Sequence, residues 1–364
     1  MKFILPDYRE PNFSAAIFRD APEVRFMPAP LDFVAPDDYH ATTIFPEYFH
    51  VGGRWLLPCR SRMDCVAVYE NGEVFVREFR HIKRGDKIAV GRSEDASEGI
   101  YVHPNCFEEV GDEGVTETFA FRQGRSRETA FSIDYDFLYE LLRHERENGH
   151  VVWVMGPACS FDADSRNAFM ALIEKGYVDA LLAGNALATH DLEGAYRSTA
   201  LGQDIYTQVP FLNGHYNHID TINRARLHGS IEKFIEAEGI DNGIVYTCLK
   251  RGIPLVLTGS IRDDGPLPGV IADAYLGQDA MRAELSKATT VIAMASTLHT
   301  IAAGNISPMY IVSDEGAVRP VYFYTVDISE FSANKLADRG SLSAKSIITN
   351  AQDFVAHLGK VLGD

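Results

Sequence analysis

From Tyr135 to the end of the chain, short apolar runs alternate with longer amphipathic stretches, and this alternation constrains the fold more than any other feature. The runs are Val151–Met155, Val178–Ala183, Pro254–Thr258, Thr290–Ala295, Val321–Val326 and Lys345–Thr349. Between them, Tyr135–His144, Arg166–Lys175, His218–Glu238, Ile271–Lys287 and Glu330–Asp338 carry apolar residues at steps of three and four, the spacing that lines one face of a helix. Strands that alternate with helices pair in parallel, with the helices covering both faces of the sheet. About six strands suit one such sheet, so the expected fold is α/β, a doubly wound parallel sheet over residues 131–364.

Before Tyr135 the texture changes. Arg54–Pro58, Cys65–Tyr69, Glu73–Arg80 and Lys87–Val90 are short, partly alternating segments broken by Gly52-Gly53, Asn71-Gly72 and Arg84-Gly85. Asn71-Gly72 between two such runs is a hairpin signal, since both residues tolerate the positive φ that a tight turn demands. A smaller β-rich domain is therefore expected over residues 1–130, with a polar joint at Gln123–Glu128 that carries Arg125 and Arg127. A chain of 364 residues accommodates two such cores.

Charge and cysteine usage narrow the function. A formal charge of −17 without a basic cluster repels phosphate backbones, so no nucleic-acid partner is expected and a small molecule is. No apolar run approaches the roughly 20 residues of a membrane helix, and Met-Lys-Phe-Ile-Leu-Pro soon meets Asp7, Arg9 and Glu10, unlike a signal peptide. The five cysteines, Cys59, Cys65, Cys106, Cys159 and Cys248, are odd in number and form no C-x-x-C pair, which argues for free thiols, against a zinc site, and for the cytoplasm.

In open α/β sheets ligands bind beyond the carboxyl ends of the strands. Here those ends read Gly156-Pro157-Ala158, Gly184-Asn185-Ala186-Leu187, Gly259-Ser260-Ile261-Arg262-Asp263-Asp264-Gly265, Ser296-Thr297-Leu298-His299 and Val326-Asp327-Ile328. Glycines let backbone approach a ligand, and a helix starting there offers free N–H groups to a pyrophosphate. No G-x-G-x-x-G turn follows any strand. Asp327 reads either as a ribose ligand or as a helix cap. Arg262, Asp263 and Asp264 read as a charged site loop or as an ordinary polar turn, and His299 as a cofactor contact, a proton carrier or a satisfied half-buried imidazole. Cys248 lies on an apolar helix face, where a thiol usually serves as a small hydrophobe. His215-Tyr216-Asn217-His218 lacks the convergent ligands of a metal site, and no metal is expected.

Several of these segments resemble one family. Tyr177-Val178-Asp179-Ala180-Leu181-Leu182-Ala183-Gly184-Asn185-Ala186-Leu187-Ala188, the Gly259–Pro268 segment, Thr297-Leu298-His299 with Gly304-Asn305, and Lys335-Leu336-Ala337-Asp338-Arg339-Gly340 are similar to the archaeal and cyanobacterial type of ornithine cyclodeaminase, the LOR/SDH conserved domain. Asp37-Asp38-Tyr39, Thr42-Thr43, Val51-Gly52-Gly53-Arg54-Trp55 and Arg62-Met63-Asp64-Cys65 extend the resemblance to nearly the whole chain. It implies a Rossmann-like domain holding NAD through Asn185, Ala186, Asp264, Ser296, Thr297, Leu298, His299 and Asp327, with Asn350 and Ala351 where the family tends to show Asp-Val. It also implies conversion of ornithine to proline with loss of ammonia and no net redox change: hydride leaves Cα, the δ-amine closes the ring, ammonia departs and the hydride returns.

Such chemistry requires a base, a cation for the substrate carboxylate and an acid for the departing amine. For the chemistry that the resemblance implies, Asp263 or Asp264 would supply the base or bind the substrate ammonium and Arg62 or Arg262 would hold the carboxylate, while Cys248, His218 and Lys250 are candidates for proton transfer, Cys248 raised among them by the resemblance. This chain departs from the family in Phe121–Thr129 and in Cys159-Ser160-Phe161-Asp162, segments that shape a pocket. Two other functions stay open at this point: an imine reductase or opine-type dehydrogenase with net redox, and a non-catalytic NAD-binding protein. By analogy with relatives of this architecture, a homo-oligomer is expected.

Overall fold

The structure is a computed structural model describing residues 3–107, 132–261, 265–330 and 343–363. The amino-terminal part carries α1 (Ala16–Arg19) and eight strands: β1 (Arg25–Pro28), β2 (Glu47–Val51), β3 (Arg54–Leu56), β4 (Arg60–Ser61), β5 (Val66–Glu70), β6 (Glu73–Arg77), β7 (Lys87–Val90) and β8 (Ile100–Val102). They build an antiparallel sheet of order β1-β7-β5-β6 and a smaller one of order β3-β2-β8. The Asn71-Gly72 hairpin forms as the sequence suggests: Glu70 faces Glu73, and the two turn residues take φ of 54° and 92°.

The larger part runs α2 (Ser132–Asn148), β9 (Val151–Met155), α3 (Ala163–Glu174), β10 (Ala180–Gly184), α4 (Asn185–Arg197), the hairpin β11 (Thr199–Ala200) and β12 (Gln203–Asp204), then α5 (Asn217–His228), α6 (Ile231–Glu238), α7 (Ile244–Arg251) and β13 (Leu255–Thr258). After these come α8 (Ala274–Leu285), β14 (Thr290–Met294), α9 (Thr297–Ile306), β15 (Tyr310–Val312), β16 (Val318–Pro320), β17 (Tyr322–Asp327), β18 (Ser343–Ile348) and a closing helix, Ala351–Leu362. Six strands form one parallel sheet of order β13-β10-β9-β14-β17-β18. Counted along the chain within this sheet, the order is the 3-2-1-4-5-6 of a Rossmann fold.

The strands are legible because they are apolar on both faces. All five residues of β9 are fully buried, and the one polar atom among their side chains, Trp153 Nε1, donates to the Tyr177 carbonyl at 2.9 Å. Helix boundaries follow local chemistry that periodicity alone does not register. The stretch His218–Glu238 is two helices, because Gly229 ends α5 with φ 82° and Ser230 accepts from Lys233 N to cap α6. Ile271 bridges to Thr258 at the sheet edge instead of opening α8, which starts behind an Asp273 cap. The joint at Gln123–Glu128, the helix expected to follow Glu330 and the Lys335–Gly340 motif lie outside the described residues.

Several contacts tie the parts together, among them a strand pairing and an aromatic cluster. β4 pairs with β15 through Ser61–Tyr310 and Arg60–Ile311. Phe3, near the start of the chain, packs edge-on against Phe137 and Tyr322 in the core of the parallel sheet.

Candidate functional site at the carboxyl edge of the parallel sheet

The chain order of the strands reverses between β9 and β14, so the crevice above their carboxyl ends is where an open α/β sheet receives a ligand. Gly156 N donates to the Met294 carbonyl at 2.9 Å, and a Cβ at Gly156 would fall 1.8 Å from the Ala295 carbonyl oxygen. Only glycine fits there. Ala295 turns the chain at φ 56° into Ser296 and α9.

His299 bridges the strand ends. Its Nδ1 lies 3.0 Å from Ser296 Oγ and its Nε2 lies 2.9 Å from Thr258 Oγ1 at the end of β13. A closed proton arrangement has Nε2–H donate to Thr258 while the Ser296 hydroxyl donates to Nδ1. The ring passes over Gly184, whose Cβ, if present, would meet His299 Cε1 at 2.9 Å. Glycine at the end of β10 is what admits the imidazole.

Two helices begin at this edge without a side-chain cap. α4 starts at Asn185 after Gly184 and α9 starts at Thr297 after Ser296. Ala186, Thr297 and Leu298 are exposed, Leu298 by 71%, so these first turns are open to a ligand. Uncapped N–H groups and the positive helix end make each a place for an anion such as a pyrophosphate. Asn185 is buried and its Oδ1 accepts from Leu267 N at 2.9 Å, which pins the chain that returns from the Asp-Asp loop. Arg226, on α5, donates from Nε to the Pro266 carbonyl at 3.1 Å, and its Nη1 would lie 3.0 Å from a Cβ on Gly265. It brings a guanidinium to the same edge. Sequence alone does not single it out, because within the amphipathic run it looks like any exposed helical arginine.

The remaining expected site residues are dispersed. Arg262, Asp263 and Asp264 lie outside the described residues. Asp327 ends β17 at this edge, where its Oδ1 accepts from Ser329 N at 2.7 Å. Asn350 caps the closing helix by accepting from Gln352 N at 2.7 Å, and Ala351 is buried behind it.

Cys248 and Arg62 are not brought to the edge. Cys248 is wholly buried in the main core on α7, and burial, with Asp191 adding to it, pushes its thiol up to about 12, which favours its reading as a small hydrophobe. Arg62 lies with α8 and the end of α9, its Nη1 2.8 Å from Glu78 Oε1 and its Nε 3.2 Å from Cys65 Sγ. A stretch of α9 separates that place from His299. His218 lies in the first turn of α5, 5.9 Å from the His190 ring, and among the described residues no three His, Cys, Asp or Glu side chains gather as a metal requires. No helix among the described residues is long and apolar enough to cross a membrane.

Comparison with known proteins follows the same lines. The family model for the carboxy-terminal Rossmann fold of ArgZ-like arginine dihydrolase matches residues 137–358. The ornithine cyclodeaminase of Archaeoglobus fulgidus is 36% identical over 336 residues, which span 92% of this chain and 78% of that protein. A crystal structure of a conserved LOR/SDH protein from Methanococcus maripaludis superposes with a TM-score of 0.83 at 33% identity, covering 94% of this chain and 98% of that one. The ternary complex of AgrE with ornithine and NAD+ superposes with a TM-score of 0.57 at 31% identity, over 95% of this chain and 46% of that one.

Proposed function

The chain belongs to the ornithine cyclodeaminase family that includes the ArgZ-like carboxy-terminal Rossmann domains, and from that membership we propose that it converts ornithine to proline and ammonia with the aid of NAD. The observation that carries this reading is the pair of uncapped helix starts at the carboxyl edge, joined by the Ser296–His299–Thr258 chain. These are groups suited to a dinucleotide, in a relative-rich family one of whose members has been crystallised with ornithine and NAD+.

When bound, NAD supplies a reversible hydride acceptor. The N–H groups of Asn185, Ala186, Thr297 and Leu298 are suited to its phosphates, with Ser296 and His299 beside them. Asp264 and Asp327 are assigned to ribose hydroxyls, as acids at strand ends commonly are. Asn350 and Ala351 are assigned to its far end. Arg262 or Arg226 holds the substrate carboxylate, for which a planar guanidinium offers paired donors. Asp263 takes the proton from the substrate amine. The cyclisation joins two groups of one molecule, so holding ornithine curled removes most of its entropic barrier. The region over residues 1–130 contributes to the substrate site of a homo-oligomer, to which exposed Tyr206, Val209, Phe211 and Leu212 lend an apolar surface. A cytoplasmic setting would keep its unpaired thiols reduced.

The test is stoichiometry. Purified protein supplied with NAD and L-ornithine should release ammonia and proline in equal amounts, with no NADH accumulating at 340 nm. NADH formed in step with ammonia would instead establish a net dehydrogenase. Bound NAD without turnover of ornithine, lysine, arginine or 2,4-diaminobutyrate would leave a binding protein.

A further inference from the structure

Exposed apolar side chains gather in the segment between α4 and α5. Leu201, Tyr206, Val209, Phe211, Leu212 and Tyr216 are each more than half exposed, Tyr206 by 70% and Leu212 by 88%. The segment is a compact lobe and not a trailing loop. A bridge from Gln203 to Pro210 extends the β11–β12 hairpin, and Phe211 N donates to the Gly202 carbonyl at 2.9 Å. The Gly202 and Gly214 backbones touch so closely that a Cβ at Gly214 would fall 2.3 Å from the Gly202 oxygen. Leu201 takes φ 53°, which strains any residue but glycine, and still turns its side chain outward.

The lobe sits at the rim of the carboxyl edge. Ala163 N donates to the Ile205 carbonyl at 3.0 Å, Gln208 Nε2 donates to the Phe161 carbonyl at 3.1 Å, and Ile205 packs with Ala163, Ala200 and Phe161. Phe161 and Ala163 follow β9, whose end borders the crevice. On the other side, α5 leaves the lobe and carries Arg226 to Pro266 at the same edge.

Charge selects the occupant of this face. A chain with a formal charge of −17 repels its own copies over most of its surface. Over residues 198–216, histidine apart, the one charged side chain is Asp204, and its Oδ1 accepts from Tyr206 N at 2.9 Å and Thr207 N at 2.8 Å. A second copy can approach here without repulsion. A lipid surface fits worse, because segments that lie on membranes set Lys and Arg around their apolar residues and this one has neither. The area suffices as well: with about 150–250 Å² for each fully exposed aromatic side chain, the exposed parts of the six residues come to roughly 800 Å² per copy, the size of a standard stable interface.

We propose that the lobe over residues 198–216 is a two-fold interface between two copies of this chain, formed at the rim of the crevice by Tyr206, Phe211 and Leu212 of each copy. A two-fold contact presents the same patch from both sides, so the lobe needs no complementary surface elsewhere on the molecule. This inference rests on the homo-oligomer reading above and not on the reaction catalysed.

Sedimentation velocity on the full chain with NAD, across a dilution series, tests it. The wild type is expected to sediment as a dimer or an even multiple of one. Leu212→Asp should raise the dissociation constant of the two-fold contact by about a hundredfold and Tyr206→Ala by about tenfold. Leu276→Asp, at an exposed leucine in the first turn of α8, should leave it unchanged. Circular dichroism separates lost assembly from lost folding, and Tyr206→Ala carries the test if Leu212→Asp does not fold. A wild type that is monomeric throughout would overturn the proposal together with the homo-oligomer reading. Assembly indifferent to both lobe variants, or weakened equally by Leu276→Asp, would overturn the proposal and leave that reading standing. Monomeric wild type that co-sediments with phosphatidylcholine vesicles would assign the face to a membrane and overturn both.

Discussion

The two edges of the parallel sheet use polar residues in opposite ways. At the amino edge, in the last turn of α2, Glu145 is wholly buried and its carboxylate takes Arg319 at 2.7 Å, His144 at 3.0 Å and the Thr289 hydroxyl. Thr289 in turn accepts from His150 N at 2.8 Å. At the carboxyl edge His299, Ser296 and Thr258 also bond to one another, yet the helix starts beside them remain uncapped and Leu298 and Thr297 face solvent. At the amino edge these groups hold the fold, although His150 Nε2, Thr290 Oγ1 and Arg319 Nε are buried there without a hydrogen-bond partner. At the carboxyl edge the open groups are the N–H donors of two uncapped helix starts that face solvent. Edge position, more than residue type, therefore separates a structural network from the candidate site in this chain.

The largest effect that would break this contrast is at Glu145. Glu145→Ala leaves Arg319 buried without its carboxylate, and removing one partner of a buried pair typically costs about 3–5 kcal/mol. Urea unfolding should show a loss of that size, whereas NAD affinity of the folded fraction stays unchanged. A variant of ordinary stability that has lost NAD would show that the amino edge, too, serves the ligand.

The extent to which each edge is legible in sequence follows from the range of its contacts. The strands were legible because a run such as Val-Val-Trp-Val-Met permits few environments other than the middle of a covered sheet. The candidate residues at the carboxyl edge were legible because topology places ligands at strand ends, and His299 with Ser296 falls on one. The Glu145–Arg319 and Glu78–Arg282 pairs join residues 174 and 204 positions apart, and no local pattern anticipates such partners. Arg62 illustrates the consequence: as a motif residue it suggested a substrate anchor, and only the fold reveals Glu78, Cys65 and the end of α9 around it.

Cys248 provides the next test, by reactivity. Burial raises its thiol from the ordinary 9.0 to about 12, so at pH 8 its thiolate population is about a thousandfold smaller than that of an unperturbed thiol. Iodoacetamide followed by peptide mass analysis should label exposed Cys59 and spare Cys248 in the native protein. The same shift has a stability consequence with a definite sign. The unfolded chain releases this proton first, so the contribution is intact below about pH 9 and falls away as pH rises towards 12. Rapid native labelling of Cys248 would return it to the catalytic candidates.

At the carboxyl edge His299→Ala should reduce NAD affinity by about tenfold, or about 1.4 kcal/mol, with a smaller loss of stability, since the half-buried His299 and its partner Ser296 lie at a solvent-facing edge. Fluorescence titration with NADH and a urea curve on the same variant separate the two effects. A stability loss exceeding the binding loss would make His299 a strut like Glu145 and erase the difference between the edges.

The smallest effect separates structure from binding at a single residue. Asn350 has two readings, and its observed bonds to Gln352 N and Asp353 N account for its amide oxygen through the helix cap alone. Asn350→Ala removes that cap and should cost about 1 kcal/mol, while Asn350→Asp, which caps equally well, should cost almost nothing. If the cap is its whole role, both variants retain NAD with unchanged affinity. If it also meets the cofactor, Asn350→Asp will keep stability while shifting affinity, because it replaces an amide by a carboxylate without disturbing the helix. The aspartate variant is the sharper probe, since it changes the charge offered to a ligand while leaving the helix start in place.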